Sequence, residues 1–159
     1  MTAALPWPRF AQAAPELAER GAEMLRRFTL GYLATLRPDG SPRVHPVTVT
    51  VADTGIYVYP VASTPKARDL RRDSRYAVHA FPTFVDGDFR DDEFTFGGRA
   101  VEITDRSLYE RVAPMHNDTI HEGDPMFRLD LSWALHKRRE PARGAVYLRW
   151  RLAPDERRG

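Results

Sequence analysis

The sequence predicts a mainly β, α+β fold: a small barrel of mostly antiparallel strands with helices at its ends and edges. Three observations predict it. Roughly seven short runs rich in β-branched and apolar residues alternate with a period of two, Pro, Gly and Asp clusters separate several of them at hairpin distance, and helical periodicity is confined to a few short stretches. With 159 residues, one domain and one core are expected, burying roughly 70% of the surface the unfolded chain exposes.

Taken in order, residues 1–14, with Pro6, Trp7, Pro8 and the Ala13-Ala14 pair, are expected to be an extended N-terminal arm, leaving residues 15–159 as a single domain. A helix is predicted over residues 15–28, because Leu17, Gly21, Met24, Leu25 and Phe28 fall on one stripe while Glu16, Glu19, Arg20, Glu23, Arg26 and Arg27 face water. Residues 32–36 and 43–51 read as strands of a hairpin across Pro38-Asp39-Gly40-Ser41-Pro42, and residues 56–61 as a third strand. Residues 75–81 form a further strand that Pro82 ends.

The loop after it carries Asp86, Asp88, Asp91, Asp92 and Glu93, whose spacing does not match a calcium-binding EF-hand, so a solvated loop is expected. In the strand predicted over residues 94–104, Gly97-Gly98 suits a bulge, and Asp105 then caps a helix running to about Val112. Residues 127–139 alternate, with Phe127, Leu129, Leu131, Trp133 and Leu135 on one face and Arg128, Asp130, Ser132, Ala134 and His136 on the other. Glu140 to Gly144 turn the chain into a last strand over residues 145–152, where Val146, Leu148, Trp150 and Leu152 oppose Tyr147, Arg149 and Arg151.

Composition narrows the function classes. Twenty-four basic residues against 22 acidic ones leave a net charge of +2, with arginines interleaved among acids rather than gathered on a basic face, so nucleic acid is not an expected partner. The absence of cysteine excludes disulfides, thiolate metal sites and a cysteine nucleophile. No signal-peptide pattern opens the sequence and no run approaches the ~18 apolar residues of a membrane span, so a cytoplasmic protein without membrane partners is expected.

The stretch with most chemistry is Ala62-Ser63-Thr64-Pro65-Lys66, at the end of the third predicted strand. Thr64 can cap a helix, Pro65 suits its first position, and Lys66 adds one of only two lysines in the chain, the other being Lys137. Backbone amides, hydroxyl and ammonium there form an anion site in outline. Upstream, Pro46 interrupts the donor row of residues 43–51, so a planar ligand could lie where a ladder partner would. Alternation puts Arg43, His45, Val47, Val49 and Val51 on one face of that strand and Val44, Pro46, Thr48 and Thr50 on the other. His116 and His121, five residues apart, do not share one helical face, so a metal site is not expected from them.

Taken together, GSPRVHPVTV, YVYP and STPKARDL, followed by RYAVHAF and FTFGGRAVEI, resemble the pyridoxamine 5'-phosphate oxidase-like family of FMN-binding split barrels over roughly residues 31–103. The resemblance implies a flavin lying along Arg43, Val44, His45, Pro46, Val47 and Thr48, with further contacts from Tyr59 and Pro60. It implies that Ser63, Thr64 and Lys66 hold the phosphate. It also implies a homodimer with a cofactor groove at the interface, acting on a small organic substrate. Flavin mononucleotide is the expected cofactor, the 5-deazaflavin coenzyme F420 the alternative, and a non-catalytic flavin- or haem-binding barrel a third reading. No side-chain nucleophile or acid/base pair is then required, since the cofactor carries the hydride or electrons. The resemblance also leads one to expect an Arg-x-His substrate element near the C-terminus, but Arg149-Trp150-Arg151 is followed by Leu152. Pyridoxamine phosphate oxidation itself is therefore not expected.

Overall fold

The structure, a computed structural model, describes residues 3–80, 83–85, 88–90 and 92–153. Helices α1 (Trp7–Ala13) and α2 (Pro15–Phe28) precede strands β1 (Leu30–Leu36), β2 (Pro42–Ala52) and β3 (Gly55–Val58). Helix α3 (Pro65–Arg72) and strands β4 (Arg75–Ala80), β5 (Thr83–Val85), β6 (Asp88–Arg90) and β7 (Glu93–Glu102) follow, and then α4 (Arg106–Val112), β8 (Phe127–Glu140) and β9 (Gly144–Arg151).

The main sheet runs β3-β2-β1-β4-β7-β8-β9, and β3 also pairs with β8, so six antiparallel strands close a barrel to which β9 is an added strand. Closure rests on two pairs, Tyr57↔Arg128 and Val58↔Phe127, made before β8 turns to take β9 from Trp133 onward. Inside lie Leu33, Val49, Ile56, Val58, Val78, Phe94, Phe96, Leu129 and Leu131, all buried. They fill the lumen with side chains, as a barrel of this size requires.

The expected extended arm is instead partly helical. In α1, Trp7 and Phe10 are buried and the Phe10 ring meets Trp150 edge-on at 4.9 Å. Leu5 pairs with Leu131 through two backbone bonds of 2.7 Å. Prolines confined to the first turn are tolerated, and burial of two aromatics offsets the cost of so short a helix. Helix α2 has the predicted bounds and seats Gly21 beneath Phe94, where a Cβ would come within 2.3 Å of the ring.

Two further segments differ from the expectation. The segment expected to be a solvated loop contains a hairpin, with Phe84↔Phe89 paired between β5 and β6; Phe81, Pro82, Asp86 and Asp91 lie outside the described residues. In β8 the inward face changes part-way. Gly98 pairs with Leu131 and Gly97 with Trp133, so Ser132 is the extra residue of a bulge. Up to Leu131 the odd positions are buried; beyond it Ala134 and His136 turn in, while Trp133 and Leu135, expected on the core face, are only partly covered.

Candidate functional site

Strand β2 divides the site from the core. Val47, Val49 and Val51 are buried, and the registers Leu33↔His45 and Thr35↔Arg43 place His45 and Arg43 on the same inward face as Leu33 and Thr35. Val44 and Pro46 point the other way, opposite Ala34 and Tyr32 of β1, and Leu30, Tyr32 and Val44 are 42%, 40% and 60% exposed. The outer surface of β1 and β2 is therefore apolar and open.

At one end of that surface is a cavity of about 270 Å³. Leu30, Pro46, Val47 and Thr48 form one wall, Tyr59, Pro60, Val61 and Lys66 the second, and His116, Asp118 and Thr119 of the segment after α4 the third. Lys66 makes no salt bridge among the described residues. It is the second residue of α3, and its side chain lines the cavity. Thr64 stands at the helix N-cap but does not cap it: its hydroxyl donates to the Val61 carbonyl at 2.6 Å.

The remaining expected contacts are placed differently. Arg43 Nε donates to Asp69 Oδ2 at 2.8 Å, Thr35 Oγ1 donates to the same oxygen at 3.0 Å, and Arg72 Nη2 donates to Oδ1 at 2.9 Å. Burial pushes the Asp69 carboxyl up, but the hydrogen bonds from Arg72, Arg43 and Thr35 outweigh it and leave the group below its usual range. Arg43 thus ties β2 to α3 rather than lining the cavity. His45 has a buried Nε2 without a partner among the described residues, and burial, then the charges of Lys66 and Arg43, lower its pKa below the ordinary histidine value. Ser63 contributes its carbonyl to Arg68 at 2.6 Å.

The third wall was not legible as such. His116 Nδ1 lies 2.8 Å from Thr50 Oγ1 and its ring centroid 4.7 Å from that of Tyr59, while Thr48 Oγ1 donates to Asp118 Oδ2 at 3.2 Å. Burial lowers the His116 pKa and nearby Asp118 only partly offsets it. Buried Asp124 accepts from the Ala62 and His121 amides at 2.8 and 2.9 Å, fastening this segment to the loop before α3. The Tyr59 hydroxyl donates to Met126 Sδ, and burial raises its pKa far above a phenol's. His121 lies outside the cavity. Among the described residues, no three His, Asp or Glu groups could hold a metal ion together, and no helix is long and apolar enough to cross a membrane.

Of the expected site residues, Pro46, Val47, Thr48, Tyr59, Pro60 and Lys66 therefore converge on one cavity, whereas Arg43, Val44, His45, Ser63 and Thr64 surround it without lining it. The arrangement offers an apolar wall, one cation and one carboxylate. It can hold an anionic group with a flat apolar body beside it.

The sequence profile of the pyridoxamine 5'-phosphate oxidase family matches residues 17–138. No curated protein matches the sequence. Among solved structures, a haem-binding protein from Mycobacterium smegmatis superposes with a TM-score of 0.67 at 17% identity, over 85% of this chain and 57% of that one. This chain thus spans little more than half of that protein. The haem storage protein HutZ from Vibrio cholerae superposes with a TM-score of 0.54 at 17% identity, over 74% of this chain and 88% of its own. PhzG from Burkholderia lata, solved with tetrahydrophenazine-1-carboxylic acid, gives 0.60 at 15% identity, over 89% and 85%. At such identities the likeness concerns the fold alone.

Proposed function

Because the chain belongs to the pyridoxamine 5'-phosphate oxidase family, we propose that it is a flavin-dependent oxidoreductase of the cytoplasm, holding FMN in this cleft and exchanging hydride or electrons with a small organic substrate. The observation that carries the reading is the unpaired Lys66 in the same cavity as the proline-bearing wall 46–48 and the segment 59–61. A phosphate there would receive a charge-assisted hydrogen bond from the ammonium. Pro46 offers no N–H, so a ring system along this wall would leave no donor stranded beneath it.

The fit is good at one end and open at the other. About 270 Å³ is slightly under the ~300–1,000 Å³ of small-molecule clefts, so the cavity suits the phosphate-bearing chain while the ring extends over the outward face of β1 and β2. That face needs a lid, and a second copy of the chain is the proposed one, giving a homodimer with two clefts. The bound flavin would supply the redox chemistry; the residues described here bind it, orient it and keep water out. Arg43 enters this reading as a strut for α3, and His45 as an inward-facing imidazole whose pKa the charge of Lys66 helps to lower. Coenzyme F420, which also carries a phosphate, fits the same lysine.

A second reading, haem binding without turnover, is supported by His116 in the cavity wall and by the two haem proteins that share the fold. One measurement separates the three. Protein purified from its native host should be yellow, with an oxidised-flavin spectrum, and should release a compound with the mass of FMN. A Soret band would favour haem, and a released deazaflavin would favour F420.

A further inference from the structure

The cleft carries two opposite charges that do not neutralise each other. Lys66 and Asp118 line the same cavity, yet among the described residues neither makes a salt bridge. The carboxylate is held in place from both sides: Thr48 Oγ1 donates to Oδ2 at 3.2 Å and the Thr119 amide to Oδ1 at 2.7 Å. Each carboxylate oxygen has a second lone-pair direction, so Asp118 retains acceptor capacity. The neighbouring contact between His116 and Thr50 fixes the same segment 2.8 Å from β2, which gives the carboxylate a defined position against the strand.

Asp118 is exposed at the rim of the cleft, and its carboxylate there repels a ligand that is anionic throughout, the more weakly for its contact with water. It is favourable for a ligand whose anionic end lies at Lys66 and whose next portion carries hydrogen-bond donors. Resting on the flavin reading above, we propose that Asp118 is a specificity-determining residue that accepts hydrogen bonds from the hydroxyls of a polyol chain whose terminal phosphate lies at Lys66. The third wall of the cleft then recognises the chain between ring and phosphate, and Lys66 recognises the phosphate alone.

The test compares FMN with a flavin whose ribityl chain is replaced by an alkyl phosphate of equal length, which keeps ring and phosphate and lacks the hydroxyls. The unaltered protein should prefer FMN by about tenfold, as for a charge-assisted hydrogen bond, and Asp118→Ala should abolish the preference by weakening FMN alone. Lys66→Gln should weaken both ligands and leave the preference intact. Asp118→Asn, which keeps one acceptor oxygen and the size of the side chain, should retain part of it. An Asp118→Ala protein that binds FMN more tightly, or that keeps the full preference, overturns this assignment while leaving the flavin reading standing. An unaltered protein that binds neither ligand overturns both.

Discussion

Arg43 and Asp69 are joined by a 2.8 Å hydrogen bond from Nε to Oδ2 in a site where the aspartate side chain is 3% exposed. The pair links the second strand to the helix that carries Lys66, so it sets the cleft without entering it. Removing one partner of a buried pair costs about 3–5 kcal/mol because the other charge is left without compensation. Asp69→Ala, which leaves the part-buried Arg43 and the Thr35 hydroxyl without their acceptor while Arg72 keeps the Leu36 carbonyl, should therefore destabilise the protein by about 3 kcal/mol in urea denaturation. Arg43→Ala leaves Asp69 with Arg72 and Thr35 and should cost less, about 1–3 kcal/mol. An Arg43→Ala protein of unchanged stability that loses FMN would instead return the arginine to the cofactor.

Lys66 has the opposite character, being unpaired among the described residues and meaningful only with a ligand. Lys66→Ala should leave the denaturation midpoint in place and weaken FMN by roughly 1.5–3 kcal/mol, with riboflavin hardly affected. Isothermal titration of both ligands checks it. Equal losses for the two would mean that the ammonium does not touch phosphate.

These two residues also mark what could be read from the sequence. Lys66 belongs to a contiguous pattern, Ser63-Thr64-Pro65-Lys66, whose helix start depends on local chain preferences, and α3 begins at Pro65 as predicted. The tie between Arg43 and Asp69 spans 26 residues and that between Thr50 and His116 spans 66, so no periodicity announces either. Helix α2 was legible because one stripe faces one core. Helix α1 was not, since Trp7 and Phe10 find their reason in the distant Trp150. The alternation of β2 holds through Val49, beyond which Thr50 is buried as well, against His116, whereas that of β8 reverses at Ser132 because the bulge depends on a partner strand.

That bulge is itself testable. A Cβ on Gly98 would lie 2.1 Å from the Asp130 carbonyl oxygen and 2.8 Å from the Ser132 amide nitrogen, both backbone atoms that cannot swing aside. Overpacking costs about 1–3 kcal/mol, and a clash with backbone belongs at the top of that range. Gly98→Ala should lower the melting temperature by roughly 6–12 °C, at about 2–4 °C per kcal/mol for a chain of this size. A variant that melts with the unaltered protein would show that the strands can slide to remove the bulge.

Acid sensitivity should be traceable to His136. Its side chain is 3% exposed and its Nδ1 has no hydrogen-bond partner among the described residues. Burial is the main cause that lowers its pKa; Asp92 and Glu16 act to raise it, and Arg20 and Arg138 to lower it. The unfolded imidazole titrates near pH 6.5, so below that value the unfolded chain binds a proton that the folded one refuses. Stability is thus complete above about pH 6.5 and falls as pH drops toward the folded pKa. His136→Leu, close in volume and without the orphaned nitrogen, should flatten the loss between pH 7 and pH 5 in denaturation series. Because His45 and His116 are shifted in the same direction, part of the slope should remain. An unchanged slope would exclude His136 as its source.

The exposed apolar face of β1 and β2 bears on assembly. Leu30, Tyr32 and Val44 stand together on adjacent strands beside the cleft, and contiguous apolar surface of this kind marks an interaction site. If a second copy covers it, the protein should sediment at twice the 18.2 kDa of the chain. Val44→Glu places a carboxylate at a position 60% exposed in the single chain, where it stays solvated in the monomer, at no more than about 1 kcal/mol of strand preference, but would be desolvated in a dimer. The variant should therefore fold with unchanged circular dichroism, sediment as a monomer and lose FMN, because the cleft would lose its lid. A Val44→Glu protein that remains dimeric would move the interface elsewhere. A monomeric variant that still retains FMN would show that the cavity lined by Lys66 and Asp118 suffices within one chain.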